Sequence, residues 1–382
     1  MMTTTRAPET IYRPLKVAIA HDYVTQRGGA ERVVLALCRI FPDAPLYTTL
    51  YDPDGTFPEY KDVDIRVGHL NRFSYFRRNH RAAMPFLAPA TSSLFIDADI
   101  VLVSSSGWAH GIRTNGKKIV FCHSPARWLY QPAVYLGDDA SRSMKWLLAA
   151  LSPPLRIWDR AMAKSADEYL AVSSAVRLRI EETYGVDARV LAPPHSIDTD
   201  QDLETVDGLW EGVPPDAYYL CVSRLLPYKN VDKIISAFRN TDRKLIVVGS
   251  GPEELTLRRT LPGNVRLLKD LNDAQMRWLY SHSKALVAAS YEDFGLTPLE
   301  AGAYGKPSIV LRWGGFLDTV IENVTGVYFD EPEAGEIAEA LGRFEARPWN
   351  RHTIAEHARE FDEERFAQKI REVVIAQAVP VG

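Results

Sequence analysis

The chain has few cysteines, no long apolar run and no strong excess of one charge, and each absence removes a class of function. Its three cysteines, Cys38, Cys122 and Cys221, are odd in number and far apart, each within or beside an apolar run. They read as buried, reduced thiols of a reducing compartment and not as a disulfide framework. No Cys or His pair has metal-ligand spacing, and neither a metal nor another cofactor is expected. No stretch approaches the roughly 18 apolar residues of a membrane-crossing helix. The opening Met1-Met-Thr-Thr-Thr-Arg-Ala-Pro8 lacks the apolar core of a secretion signal, which makes the cytoplasm the expected location. A net charge of −4 over 382 residues, with no recognised nucleic-acid motif, argues against DNA or RNA as partners. No GxxxxGK[ST] loop is present. Gly249-Ser-Gly-Pro-Glu-Glu254 follows an apolar run but lacks the third glycine of a dinucleotide fingerprint, and Pro252 replaces its turn.

What is there is an alternation of short apolar runs with helical stretches. Lys16–Ala20, Ile100–Val103, Lys118–Phe121 and Tyr169–Val172 read as strands buried on both faces. Residues 199–217 are rich in Asp, Gly and Pro and carry no period, so they read as a linker. Beyond it the pattern restarts with Tyr218–Val222, Lys244–Val248, Val265–Leu268, Lys284–Ser290 and Ser308–Leu311. Such alternation predicts an α/β chain of two doubly wound parallel sheets. The expected domains are 1–200 and 201–365, with 366–382 as a terminal helix and tail. The stretch Ser143–Lys164 is helical in character and reads as broken at Pro153-Pro154.

The densest chemistry lies in Ser290-Tyr-Glu-Asp-Phe-Gly-Leu-Thr-Pro-Leu-Glu-Ala-Gly-Ala-Tyr304. Here an apolar strand feeds a loop that ends in a helix. Thr297 reads as the N-cap, Pro298 as the first helical residue and Glu300 as the third, so free backbone amides face the loop and suit an anion such as a diphosphate. Glu292 and Glu300 bracket this site, with seven residues between them. Carboxylates beside a phosphate are repelled, which aims them at sugar or ribose hydroxyls. A capping box remains the plain alternative for Glu300, and a solvated loop carboxylate for Glu292.

Other candidates follow predicted strands. Gly28 and Gly29 open a helix after His21-Asp-Tyr-Val-Thr-Gln-Arg and would let a phosphate or sugar approach the backbone, or would simply make a turn. His123 opens His-Ser-Pro-Ala-Arg-Trp-Leu-Tyr130 at a strand's carboxyl end, where open α/β sheets bind ligands, although a structural histidine fits too. Arg224 and Lys229 fall in a strand-to-helix loop, where two cations can clamp a diphosphate or lie on the surface. Residues 66–96 hold Arg66, Arg72, Arg77, Arg78 and Arg81 without one acidic residue, with Phe73, Tyr75, Phe76, Phe86 and Trp108 interleaved or nearby. Anionic lipid headgroups, a phosphorylated acceptor and an ordinary solvated face all suit that composition.

Together these motifs resemble the retaining GT-B glycosyltransferases of family 4. Arg224, Lys229, Gly249-Ser-Gly-Pro-Glu, Tyr291-Glu-Asp-Phe-Gly-Leu-Thr-Pro-Leu-Glu-Ala and Gly314-Gly315 look like that family's C-terminal domain. His21-Asp-Tyr, Gly28-Gly29-Ala-Glu-Arg and His123-Ser-Pro are similar to its bacterial mannosyltransferase-like branch. The resemblance implies two Rossmann-like domains facing across a cleft, with a last helix, from about Asp362 to Lys369, crossing back onto the first. It implies Glu300 at the nucleotide ribose and Glu292 on donor-sugar hydroxyls. The amides of Phe294, Gly295, Leu296 and Thr297 would meet sugar and phosphate. Arg224 and Lys229 would meet the diphosphate, Gly28 and Gly29 would line the cleft, and His123 would lie beside the sugar.

The implied reaction moves a sugar from a nucleotide-diphosphate donor, with GDP-mannose the best guess, to a lipid-linked or growing glycan acceptor. It is metal-independent, with retention at the anomeric carbon. A UDP-sugar enzyme acting on another glycan or a small molecule is the alternative. An epimerase or phosphorylase on the same fold, or a silent nucleotide-sugar binder, fits less well, because no cofactor lysine stands out and the set of Glu292, Glu300, Arg224 and Lys229 is intact. The basic segment, with Arg72, Arg77, Arg78 and Arg81, is the candidate acceptor or membrane face, so peripheral contact with the inner face of the membrane is a further expectation.

Overall fold

The computed structural model describes residues 15–131, 142–210, 212 and 214–378. The opening residues 1–8, positions 211 and 213 of the expected linker, and 379–382 of the expected tail lie outside the described residues.

The first half contributes β1 (Val17–His21), β2 (Leu46–Thr48), β3 (Ile65–Val67), β4 (Phe95–Ile96), β5 (Ile100–Ser105), β6 (Arg113–Thr114), β7 (Lys117–Cys122), β8 (Glu168–Ala171) and β9 (Arg189–Val190). Seven of these form one sheet in the order β3-β2-β1-β5-β7-β8-β9, and β4 pairs with β6 beside it. The second half contributes β10 (Tyr218–Val222), β11 (Lys244–Val248), β12 (Val265–Leu268), β13 (Ala285–Ala288), β14 (Ser308–Leu311) and β15 (Gly326–Phe329). They form a second sheet in the order β12-β11-β10-β13-β14-β15. Every pairing is parallel, as between β1 and β5 or β10 and β13. This is the two-domain doubly wound architecture that the alternation predicts.

Parallel strands need crossover helices on both faces, and those helices bury the sheet. Hence β5 and β13 are buried along their whole length. In both sheets the strand order reverses beside the first strand, between β1 and β5 and between β10 and β13. Loops splay apart at such a switch point and leave a crevice beyond the carboxyl ends of the strands. The loops after β1, β7, β10 and β13 therefore converge on the site.

The chain crosses back at its end. Phe366, Ala367, Ile370, Val373 and Val374 of helix Glu363–Ala378 are buried in the core of the first domain. Phe366 meets Phe121 edge to face at 5.8 Å between ring centroids. Arg39 grips Glu363 through two hydrogen bonds of 2.7 and 2.6 Å. Helix Arg351–Arg359 still belongs to the second domain, since Ile354 and Ala358 pack on Gly302. The change of domain thus falls at about residue 362.

Three sequence expectations need correction. Helix Arg142–Ala163 is not broken at Pro153-Pro154 but runs through them. Both prolines face solvent, and the helix is pinned on its other side by Asp159 against His110 at 2.9 Å and by the Trp158 indole donating to Ser92 at 3.0 Å. Trp108 is not part of an exposed basic-aromatic face. It is 4% exposed and stacks on Trp128 at 4.5 Å. Among the thiols, Cys122 and Cys221 are buried but Cys38 only partly so.

Truncating Phe366 removes a ring from the first domain's core, so Phe366→Ala is expected to cost about 3 kcal/mol. Urea unfolding should show a lower midpoint; a loss below about 1 kcal/mol would mean that the last helix is merely laid on the surface.

Candidate active site

Two loops of the second domain carry the charged groups. The loop after β10 holds Arg224, Tyr228 and Lys229, and that after β13 holds Ser290 to Leu296. Asn230 ties them together by donating to the Ala289 carbonyl at 2.8 Å. Lys229 is buried, and its ammonium donates to the Glu292 carboxylate, which also accepts from the Ser290 hydroxyl at 3.1 Å. Burial pushes the Glu292 carboxyl up, but the charge and hydrogen bond of Lys229, with help from Arg127 and Ser290, outweigh it and hold the group below the usual carboxylate range. Arg224 is exposed and donates to the Tyr228 hydroxyl at 3.3 Å.

Gly314 and Gly315 back the Glu292 turn. A Cβ on Gly314, whose φ is +58°, would strike the Glu292 carbonyl at 2.2 Å, and one on Gly315 would strike the Phe294 Cα at 2.1 Å. Only glycine permits that approach.

The short helix that follows, Thr297–Ala303, starts one residue earlier than the sequence suggests. Leu296, not Thr297, is the N-cap, Pro298 is the second helical residue, and no side chain caps the helix. The capping-box alternative for Glu300 therefore fails. Its carboxylate instead accepts from the Tyr280 hydroxyl at 2.5 Å. Burial and the Glu300 charge push the Tyr280 hydroxyl well above its ordinary range, so it stays a proton donor.

The first domain supplies the opposite wall. His123 shares a 2.8 Å hydrogen bond between its Nε2 and the Ser104 hydroxyl. Burial, reinforced by His21, pushes its pKa down to about 3, so the ring is neutral at physiological pH. His21 donates from Nδ1 to the Ser104 carbonyl at 3.0 Å, and its Nε2 lies 4.0 Å from the buried Glu31 carboxylate. Burial would lower the His21 pKa, but Glu31, Asp22 and the Ser104 carbonyl raise it above the ordinary value. Gly28 is constrained from inside, because a Cβ there would meet Glu31 Oε2 at 2.5 Å. Gly29 faces the other domain, where a Cβ would lie 3.5 Å from Leu296 Cδ1. The Gly28-Gly29 turn and the Phe294–Thr297 loop thus meet across the cleft.

Contacts that sequence reasoning missed hold the walls together. Asp293 lies 2.5 Å from Arg127 Nη2 and 2.6 Å from Arg179 Nη1, both on the first domain. The Ser173 hydroxyl donates to the Asp293 carbonyl at 2.5 Å. The backbone amide and hydroxyl of Ser174 donate to Asp318 at 3.0 and 2.6 Å. Phe294 and Leu299 are buried within the first domain's core. Arg127 and Asp293 stand inside the motifs read above, but pairing across more than 160 positions leaves no local signal.

The basic segment lies apart from these carboxylates. Arg72 and Arg78 are exposed, Arg77 donates to the Asn71 carbonyl at 2.7 Å, and the Arg81 side chain lies outside the described residues. Arg66 is taken up by Asp64 at 3.0 Å. Phe73, Tyr75 and Phe86 are exposed at 59%, 64% and 50%. The segment's inner side reaches the cleft mouth, where His80 stacks on Tyr23 at 4.5 Å and bonds Thr25 at 3.1 Å. Among the described residues, no group of three His, Cys, Asp or Glu side chains is arranged to hold a metal.

Two doubly wound domains facing across such a cleft, joined by a returning terminal helix, define the GT-B class of glycosyltransferase. Residues 212–361 match the Glycosyl transferases group 1 family and residues 27–201 match Glycosyltransferase Family 4. The chain is 32% identical to the alpha-1,3/1,6-mannosyltransferase ALG2 of Dictyostelium discoideum, over 95% of this chain and 98% of that one. It belongs to the group 1, family 4 glycosyltransferases. It spans little more than half of a Mycolicibacterium smegmatis protein, the GDP-mannose-dependent alpha-(1-6)-phosphatidylinositol monomannoside mannosyltransferase, at 28% identity over 52% of this chain and 58% of the relative. The Anabaena protein HepE, solved with UDP-glucose, shares the fold at a TM-score of 0.67 and 18% identity, over 94% of this chain and all of that one, 100%.

Breaking one half of the Lys229–Glu292 pair strands a charge in a mostly closed site. Lys229→Met is expected to cost about 2 kcal/mol, and adding Glu292→Gln should return most of it in a double-mutant cycle. The folded Glu292 carboxyl titrates below its ordinary 4.5, so the pair's contribution is complete above that pH and lost as pH falls beneath it. The gap between wild type and Lys229→Met should therefore narrow in acid; a gap constant from pH 7 to 3 would contradict the pairing.

Proposed function

We propose that the chain transfers mannose from GDP-mannose, with retention and without a metal, to a lipid-linked or growing glycan acceptor. The observation that carries this reading is the pair of carboxylates with seven residues between them, Glu292 and Glu300, set on one wall of the cleft by Lys229 and Tyr280. The Gly28-Gly29 turn of the first domain lies across from Leu296, which stands between the two carboxylates in sequence. The mannosyl choice is supported by full-length similarity to a mannosyltransferase.

In this reading Glu300 takes the ribose hydroxyls and Glu292 a sugar hydroxyl. Arg224 and Lys229 stabilise the departing diphosphate, as preorganised charge does in a water-poor site. The amides of Phe294 to Thr297 line the space between. The acceptor's proton passes to the leaving phosphate oxygen on the same face as bond cleavage, which keeps the anomeric configuration. Neutral His123 orients the sugar by hydrogen bonding, since a ring with a pKa pushed down to about 3 is not an imidazolium acid at pH 7. No described helix is long and apolar enough to cross a bilayer. We assign acceptor-side contact with an anionic membrane surface on the cytoplasmic face to Arg72, Arg78, Phe73, Tyr75 and Phe86, which combine charge with exposed rings beside the cleft mouth.

Thermal unfolding with GDP or UDP, with EDTA present, tests the donor. A ligand at 100 times its Kd adds about 2.7 kcal/mol, so GDP should raise the midpoint and UDP should not. A UDP-selective shift would replace the mannosyl reading with a UDP-sugar one, and no shift with either would sink the nucleotide-sugar reading. In a GDP-mannose transfer assay, His123→Ala is expected to lower kcat at least about tenfold while GDP affinity stays within about twofold. Equal losses of both would make His123 a structural residue.

A further inference from the structure

Charge around the Lys229–Glu292 pair does not balance. Arg127, Arg179, Arg224 and Lys229 supply four cations, against the two carboxylates of Asp293 and Glu292. Arg179 alone already satisfies Asp293 at 2.6 Å, with a further 2.9 Å hydrogen bond to the Ser124 hydroxyl that fixes its own direction. Arg127 touches the same oxygen, Asp293 Oδ1, so it shares an anion that already has a partner.

Its remaining surroundings are those of a guanidinium without enough acceptors. Its Nε is buried with no hydrogen-bond partner, and its closest approach to another acceptor is 3.5 Å, from Nη2 to the Tyr291 carbonyl. An unmet donor in a closed site is costly unless a ligand completes it. Burial would lower the Arg127 pKa, but Asp293, Tyr228 and Glu292 hold it up, so the charge is permanent.

Tyr228 marks where these cations converge. The Lys229 ammonium lies 5.0 Å from its ring centroid, the Arg127 guanidinium 5.9 Å, and Arg224 donates to its hydroxyl at 3.3 Å. Two of the three come from the second domain and Arg127 comes from the first. A diphosphate held by Arg224 and Lys229 would therefore be met by Arg127 from across the cleft, and its charge would offset the local excess.

We propose that Arg127 is a third cation for the donor's diphosphate, parked on Asp293 until the nucleotide arrives. The inference rests on the nucleotide-sugar reading above. Its consequence is that the first domain senses the second phosphate: the arginine turns from Asp293 to the phosphate oxygens while Arg179 keeps the domains joined. Planar guanidinium suits two phosphate oxygens better than a lysine would.

Calorimetric titration of the full chain with GDP and GMP, and with UDP and UMP in parallel, tests this. Wild type should prefer the diphosphate, and Arg127→Gln should reduce that preference about tenfold while monophosphate affinity stays unchanged. Arg127→Lys should restore part of it. Asp293→Asn, which loosens the join between domains and frees Arg127 from its counter-ion, should keep or raise the ratio. An unchanged ratio in Arg127→Gln, or an equal fall in Asp293→Asn, would overturn the role of Arg127 and leave the donor reading standing. A wild type that binds none of the four nucleotides would overturn both.

Discussion

A single carboxylate of the second domain, Asp293, held between two arginines of the first, sets the distance on which the rest of the site depends. A parallel sheet delivers its ligand-binding loops at one end only, so each domain can build half a site. The halves act together when their loop ends meet. Asp293 follows Glu292 directly, and fixing it against Arg127 and Arg179 fixes the turn that presents Glu292. All three side chains are less than one-fifth exposed, at 19%, 18% and 12%. Ion pairs so placed add little net stability because desolvation offsets attraction, but they are specific in direction and register. The apolar part of the join, Phe294 and Leu299 in the first core, supplies the attraction that the charges orient.

A second constraint lies close by, where Phe361 packs on Phe294 at 6.2 Å between ring centroids. Two strands of chain cross between the domains, one near His195 and one near Phe361, and they are bonded to each other. The His195 amide donates to the Phe361 carbonyl at 3.0 Å, and its ring meets the Ala358 carbonyl at 3.1 Å. Arg39 and Glu363 anchor the second crossing to the first domain. Closing motions in two-domain proteins concentrate in such short connections. The two crossings are thus a tied pair of segments next to the Asp293 cluster.

Much of this was legible in the sequence, and the missing parts have physical causes. Strands at Tyr218, Lys244 and Ser308 announce themselves as continuous apolar runs because they are buried on both faces. The three-residue strands Leu46–Thr48 and Ile65–Val67 do not, since a run of three is too short to show a period. Thr297 looks like a cap by residue type, yet the preceding Gly295, at a φ of +84°, turns the chain so that the helix begins after Leu296. Pro153-Pro154 signals a break by local rule, but two missing hydrogen bonds on a solvent face are outweighed by the anchoring of Trp158 and Asp159. Glu292 and Glu300 are visible through their spacing. Their partners Lys229 and Tyr280, like the Asp293 arginines, come from distant parts of the chain, and only the fold sets those distances.

The electrostatics of the site follow from one difficulty. A lysine meant for a phosphate must be desolvated to act strongly, yet a buried ammonium without a counter-ion would lose its proton or unfold its loop. Glu292 answers this by serving as counter-ion in the empty site. In the proposed reaction an arriving diphosphate would take over the neutralisation of Lys229 and release the Glu292 carboxylate toward neutral hydroxyls, which it can hold without repulsion. The proposed turn of Arg127, on the opposite wall, from Asp293 to the phosphate would be the same exchange. Each cation is thus kept charged and aimed before the ligand comes, so little reorganisation is needed when negative charge develops on the leaving group. Tyr280 does for Glu300 what a cation would do too strongly: it orients the carboxylate by one hydrogen bond without neutralising its charge.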